Sequence, residues 1–312
     1  MPGSNPVWQL KETGGVEYYE LTPEPGLVLA FFGRRGGVSK KPYDSLNLSS
    51  RVGDDEEHVK ENRLRVRRAL RLLAVFILRQ THSDAVVRAA DARIPAETVE
   101  GDASYTHLPG LGLGVTVADC LPVYVYARDL RCVGIAHCGW RGTVSRIAEN
   151  LARSMSRRFS VRLPDLTFAL GPCICPSCYE VGEDVRRQFA AGFPGHETFF
   201  PVKGASQPRL DLRAANRWLL RDLGLAEAPS LDLCTKENVG ICYSARRDSP
   251  TGRNLALIAA HRGGTTRQVG GPNSRGGSRR PCSESGVPQW PPCISAQVDP
   301  GRHDCVPLGD QD

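Results

Sequence analysis

No apolar run in the 312-residue chain approaches the roughly 20 positions needed to cross a bilayer, and the longest, LGLGVTVADCLPVYVYA (111–127), is broken by Asp119. The opening MPGSNPVWQLKETGG likewise lacks the apolar core of an export signal. The expectation is a cytoplasmic chain with no membrane partner. Excess charge of one sign is also missing, since 40 Lys and Arg against 34 Asp and Glu leave only +6. The densest basic stretch, KENRLRVRR (60–68), reads as a solvated helix face, and no patch interleaves arginines with aromatics. Nucleic acid is therefore not an expected partner. No internal repeat supports a solenoid. The GLGLG run (110–114) leads into a strand rather than a helix, so it fails as a dinucleotide-binding turn.

What is present suits an intracellular globular protein. Apolar residues make up 40% of the chain, enough for a substantial core. The eleven cysteines are odd in number, and with no export signal they read as free thiols in a reducing compartment. Composition shifts near residue 261, where HRGGTTRQVGGPNSRGGSRRP begins a segment rich in glycine and proline and without apolar periodicity. Residues 1–260 are expected to form a single domain, and 261–312 a disordered tail unable to offset its ordering entropy by burial.

The periodicities predict a mixed α/β domain. Strands are expected at 28–33, 112–118, 121–127, 131–137, 166–172, 230–234 and 255–260, the third and fourth as a hairpin turning at 128–130. Helices are expected at 53–73 with Asp54 as N-cap, at 143–159, at 182–193, and at 211–224 between Asp211 and Gly224. Strands and helices do not alternate regularly, which argues against a purely parallel, doubly wound sheet.

Three strand ends carry the residues of greatest chemical interest. In AHCGWRGT (136–143), His137 closes a strand, and a Gly-Trp-Arg-Gly turn containing Arg141 feeds a helix, a setting suited to an anion. QTHSD (80–84) supplies His82, and VADC (117–120) supplies Cys120. Two imidazoles and one thiolate form a three-ligand set for zinc that keeps a fourth position open, the pattern of a catalytic site. Each residue also has an ordinary reading: a hydrogen-bonded core histidine, or a small buried thiol. Trp140 reads as packing beneath the turn, with stacking on a planar ligand as the alternative, and Asp119 as a hydrogen-bonding residue of its turn. CICPSC (173–178) sets Cys173, Cys175 and Cys178 close together, three thiols that read as free in a loop, with a four-ligand metal set completed by Cys234 as the alternative.

Taken in order, RGGVS (35–39), SLNLSSRVGDDEEHVKENR (45–63), QTHSD, GDASYT (101–106), VADCLP (117–122), AHCGWRGT, GPCICPSCYEVGEDV (171–185) and TGR (251–253) resemble the laccase-domain family. Its members are also called multicopper polyphenol oxidoreductases, purine nucleoside phosphorylases or peptidoglycan editing factors, and the resemblance spans about 28–258. It implies a layered α/β/β/α sandwich with mixed sheets and one zinc bound by His82, Cys120 and His137, with copper as the alternative ion. It implies phosphorolysis of adenosine, inosine, guanosine and 5′-methylthioadenosine, and deamination of adenosine. The partners are then purine nucleosides and phosphate. Arg63, after V-x-E-N, is expected to face the anionic nucleophile or substrate, and Gln80 to contact substrate or support the ligands. Cys138 stands where alanine is usual, and YSARR (243–247) departs from the family's pattern, so no role is carried to it.

Two other activities compete. A copper oxidase with a blue-copper centre and a trinuclear cluster needs many histidines, whereas this chain has seven and only two fall in the ligand motifs. An amide hydrolase acting on peptidoglycan precursors could use zinc, or Cys120 as nucleophile with His137 as base. A non-catalytic zinc module would require a fourth protein ligand.

Overall fold

Strands that are apolar on both faces must be covered on both sides, and such segments form the centre of this protein. A computed structural model describes residues 6–261 apart from 203 and 205; the tail expected over 261–312 lies outside the described residues except for His261. The first sheet runs in the order β1 (Gln9–Thr13), β2 (Val16–Leu21), β3 (Leu27–Phe32), β12 (Asn254–Ala260), β7 (Leu111–Val117), β4 (Ala74–Ile77). The second runs β11 (Ala226–Glu227), β10 (Leu166–Leu170), β8 (Leu121–Ala127), β9 (Val133–Cys138), β6 (Ala103–Thr106), β5 (Val86–Arg88). Both are mixed: β4 pairs parallel with β7, β5 with β6 and β10 with β11, and the remaining pairs are antiparallel.

The sheets pack face to face through Phe31, Leu113, Val115 and Ile258 on one side and Tyr124, Ile135 and Ala169 on the other. Tyr124 carries its hydroxyl across the layer to donate to the Ala30 carbonyl at 2.9 Å, so its one polar atom is satisfied. Outside the first sheet lies α1 (Glu56–Ala69), whose Val66, with Leu70 beyond it, joins Ile77, Leu255 and Leu257 in a buried cluster. Outside the second lie α3 (Ile147–Phe159), α4 (Glu183–Gly192) and α5 (Leu212–Asp222), burying Ile147, Leu151, Met155, Phe189 and Leu219 against Val123, Val125 and Phe168. This is the expected α/β/β/α sandwich. The GLGLG run has a packing explanation here: a Cβ on Gly112 would stand 2.7 Å from Leu72 Cδ1.

Several local expectations need correction. The helix expected at 143–159 is two helices, α2 (Trp140–Val144) and α3, because Arg146 between them takes a left-handed conformation (φ 58°). Its guanidinium is held there by Glu149 one turn on at 3.0 Å and, from elsewhere in the fold, by the Gly192 carbonyl at 2.9 Å and the Phe193 ring. The N-cap of α1 is Asp55, which accepts from the backbone of Glu57 and His58; Asp54 instead accepts from Ser39 and Asn47. SLDLC (230–234) is not a strand: Leu231 bonds once to the end of β10, and Cys234 forms only an isolated bridge to Cys173. The β1–β2 hairpin and strands β4 to β6 were not anticipated, since they are short or polar on an exposed face.

Candidate active site

The two sheets place three loop and strand ends together. His82 lies in the loop between β4 and β5, Cys120 in the turn from β7 to β8, and His137 near the end of β9. One donor atom from each lies within 4.8 Å of the other two, and the imidazole centroids are 4.9 Å apart, edge to face. These three side chains share the floor of a cavity of about 420 Å³ with Gln80 and Arg141 in its wall.

The residue that organises this floor is Asp102, which sequence reasoning did not single out. It is fully buried at the start of β6 and accepts five hydrogen bonds. His137 Nδ1 is 2.8 Å from Oδ1, and the backbone N–H groups of Thr81, His82 and Ser83 donate at 3.1, 3.1 and 2.7 Å, with the Ser83 hydroxyl at 2.8 Å. One carboxylate thus fixes the ring of one histidine and the loop backbone of the other. With Nδ1–H directed at Asp102, Nε2 of His137 is left with its lone pair for a metal, the usual arrangement around a histidine ligand. The strained backbone of His82 (φ 60°) is held by the same contact.

Electrostatics favour the ligating forms. Burial pushes the Cys120 thiol up, but the charges and hydrogen bonds of His137 and His82 outweigh it and draw the group down to about 6. Burial opposes the charged form of His137 too, yet Cys120 and Asp102 raise it to about 9. Thiolate and imidazolium therefore stabilise each other, and a divalent cation can take the place of the shared proton. Two nitrogens and one sulfur suit zinc or another borderline-soft ion.

The surrounding residues divide into scaffold and wall. Gln80 is tied to Thr116 of β7, accepting from its N–H at 2.7 Å and hydroxyl at 2.9 Å and donating to its carbonyl at 2.9 Å. The Arg141 guanidinium lies 4.3 Å over the Trp140 ring, and both residues line the cavity. Arg63 stands one layer back: it pairs with Glu97 at 2.8 Å and donates to the Leu48 carbonyl at 3.0 Å, and Glu97 rather than Arg63 reaches the cavity wall. Burial raises Glu97, but the Arg63 charge and the Ser50 hydrogen bond more than offset it, leaving the carboxyl below its ordinary value. Asp119 accepts from Thr235 at 2.7 Å and from the Arg246 N–H at 2.7 Å, linking two other loops to the Cys120 turn. Arg51, Arg246 and Arg253 also line the cavity and went unassigned in the sequence. Arg246 and Arg253 lie in YSARR and TGR, so order along the chain was the available signal.

Gly139 follows His137 by two residues, N-caps α2 and approaches the Cys120 sulfur so closely that an added side chain would have to displace it. A Cβ there would lie 3.0 Å from Cys120 Sγ and 3.4 Å from His82 Cδ2. Gly139→Ala is expected to weaken metal binding by displacing the thiolate while leaving the fold intact; metal titration alongside circular dichroism checks it.

The family described as multi-copper polyphenol oxidoreductase laccase matches residues 28–261. The chain belongs to this enzyme family. It is 39% identical over 236 residues to the purine nucleoside phosphorylase of Deinococcus radiodurans, covering 75% of this chain and 89% of that one. It is 34% identical to adenosine deaminase RL5 from an unknown prokaryotic organism, covering 70% of this chain and 88% of the relative. Among solved structures, YlmD from Geobacillus stearothermophilus superposes with a TM-score of 0.74 at 31% identity, covering 82% of this chain and all of the other (100%). Among the described residues no helix is long and apolar enough to cross a membrane.

Proposed function

We propose that this laccase-family member is a zinc-dependent purine nucleoside phosphorylase that also deaminates adenosine, with His82, Cys120 and His137 as metal ligands. The observation that carries this reading is the convergence of those three donors on one cavity that is also lined by Arg51, Arg141, Arg246 and Arg253. Similarity to proteins named for both activities supports the choice of reaction. The proposed substrates are adenosine, inosine, guanosine and 5′-methylthioadenosine. Copper is the competing ion.

When bound, zinc would supply a Lewis acid that acidifies water or polarises a substrate oxygen. The chain's own residues do the rest. Asp102 keeps His137 in one tautomer and holds the His82 loop, so the donors are positioned before the ion arrives. The arginines give the cavity a positive field in which phosphate can be held against the sugar, so that orientation accounts for much of the rate. Arg253 is tied to its own loop, its guanidinium donating to the Thr251 and Gly252 carbonyls at 2.9 and 3.1 Å. Arg141, a lining residue whose guanidinium stacks over Trp140, is the better phosphate ligand. Arg141→Ala is expected to raise the KM for phosphate by about 10-fold or more, as for loss of a charged hydrogen bond, with deamination much less affected.

Metal-loaded protein incubated with adenosine, with and without phosphate, tests the function. Free adenine formed only with phosphate supports phosphorolysis, and inosine formed without it supports deamination. Formation of neither adenine nor inosine would overturn the proposal and shift attention to an amide hydrolase. The Cys120–His137 contact also fits a thiolate nucleophile; a chelator that abolishes activity, reversed by added zinc, excludes a metal-free dyad.

A further inference from the structure

A second set of ligand side chains shares no residue with the first. Cys175 and Cys178 bracket Pro176 and Ser177 in a tight turn closed by the Cys178 N–H, which donates to the Cys175 carbonyl at 3.0 Å. Cys234 and Glu237 bracket Thr235 and Lys236 in another, where the Asn238 N–H donates to the Cys234 carbonyl at 3.1 Å. The parallel bridge between Cys173 and Cys234 sets these turns side by side, with the Thr235 N–H donating to the Cys173 carbonyl at 3.1 Å. Cys173 only anchors; its own thiol is buried and turns to the Ile174 carbonyl.

One donor atom from each of Cys175, Cys178, Cys234 and Glu237 lies within 4.8 Å of all the others. Glu237 Oε1 is 3.3 Å from Cys178 Sγ and 3.7 Å from Cys175 Sγ. Ligands at the corners of a zinc tetrahedron, with Zn–S near 2.3 Å and Zn–O near 2.1 Å, stand roughly 3.5–3.8 Å apart. The two glutamate–cysteine edges to Cys178 and Cys175 are therefore already close to that length, and the remaining donor pairs lie within 4.8 Å. The sequence pattern, C-x-x-C with C-x-x-E, repeats the paired short spacings of closed structural zinc sites.

Polar groups surround the three sulfurs. The Cys175 N–H points at Cys234 Sγ at 3.4 Å, joined by the backbone N–H groups of Glu237 and Lys236. The Ser177 hydroxyl is 2.9 Å from Cys175 Sγ. Arg209 donates to the Ser177 carbonyl, and Arg247 to the Thr235 and Lys236 carbonyls at 3.0 and 2.9 Å, so two guanidiniums hold the turns and place positive charge beside them. Four acidic donors in such proximity need protons or a metal to balance them.

We propose that Cys175, Cys178, Cys234 and Glu237 bind a structural Zn²⁺ that clamps two walls of the catalytic cavity together. Tyr179, next to Cys178, lines that cavity. Thr235, next to Cys234, bonds Asp119 beside Cys120. The second ion thus fixes the frame in which the first site sits, and takes no part in chemistry because its four positions are filled by protein.

Cobalt(II) provides the test, since sulfur-to-cobalt charge transfer grows with the number of thiolates. Full-length protein bearing His82→Ala and His137→Ala is expected to retain one bound equivalent with three-thiolate intensity. Cys175→Ser with Cys178→Ser in the otherwise unaltered chain is expected to retain one equivalent with single-thiolate intensity, and circular dichroism checks the fold of both. Two equivalents persisting in the Cys175→Ser/Cys178→Ser protein would overturn the proposal. So would a folded His82→Ala/His137→Ala protein that binds none, or a disulfide among these cysteines after purification under reducing conditions. Loss of nucleoside chemistry in the unaltered protein would leave the second stoichiometry standing, so the two proposals fail separately.

Discussion

Asp102→Asn is expected to lower metal affinity by about 10- to 100-fold, the usual cost of removing the residue that orients a histidine ligand. The amide preserves volume but has only one accepting oxygen, whereas the carboxylate takes five hydrogen bonds from Thr81, His82, Ser83 and His137. Asp102→Ala is harsher: leaving several buried donors unpaired is expected to cost about 3–5 kcal/mol of folding stability. Competition against a coloured chelator measures the affinity, and denaturant unfolding measures the stability. An unchanged affinity in Asp102→Asn would show that the ligands are positioned without this carboxylate.

The same residue predicts an acid-dependent stability difference. Burial would raise the Asp102 carboxyl, but the His137 hydrogen bond and charge together with the Ser83 contacts bring it from 3.8 down to about 2. A folded value below the unfolded one means that the ionised group stabilises the protein above pH 3.8, and that this contribution is lost as the pH falls through about 2. The displacement corresponds to ~2 kcal/mol. The stability gap between wild type and Asp102→Asn should therefore narrow as pH drops through that window.

Cys120→Ser is expected to reduce both phosphorolysis and deamination by more than about 100-fold, because losing a direct ligand must exceed the loss from its supporting shell. A hydroxyl does not ionise near neutrality and is a harder donor than a thiolate, so the remaining imidazole pair grips zinc weakly. Activity measured against metal concentration separates the causes. If added zinc restores much of the rate, the thiol serves chiefly in metal retention. If the metal-saturated Cys120→Ser protein keeps wild-type rates, Cys120 is not a functional ligand.

Much of the scaffold could be read from local pattern. The apolar runs that became β7, β8, β9, β10 and β12 carry strand signals over their whole length, and α5 starts at Asp211 as its capping pattern indicates. Elements whose existence depends on a distant partner were not legible. SLDLC has strand composition yet makes only one bridge, because its neighbours are the end of β10 and the CICPSC turn rather than a full strand edge. The break at Arg146 likewise depends on Gly192 and Phe193, far away along the chain.

The proposed ligands His82, Cys120 and His137 were visible as short motifs, because donor chemistry belongs to the side chain itself and survives without knowledge of the fold. Their supporting residue Asp102, the retreat of Arg63 behind Glu97 and the place of Glu237 rather than Cys173 beside Cys175, Cys178 and Cys234 were not visible. Those depend on which segments adjoin across the two sheets. Hydrogen bonds and ion pairs act over a few ångströms in space, and no spacing along one chain encodes that distance.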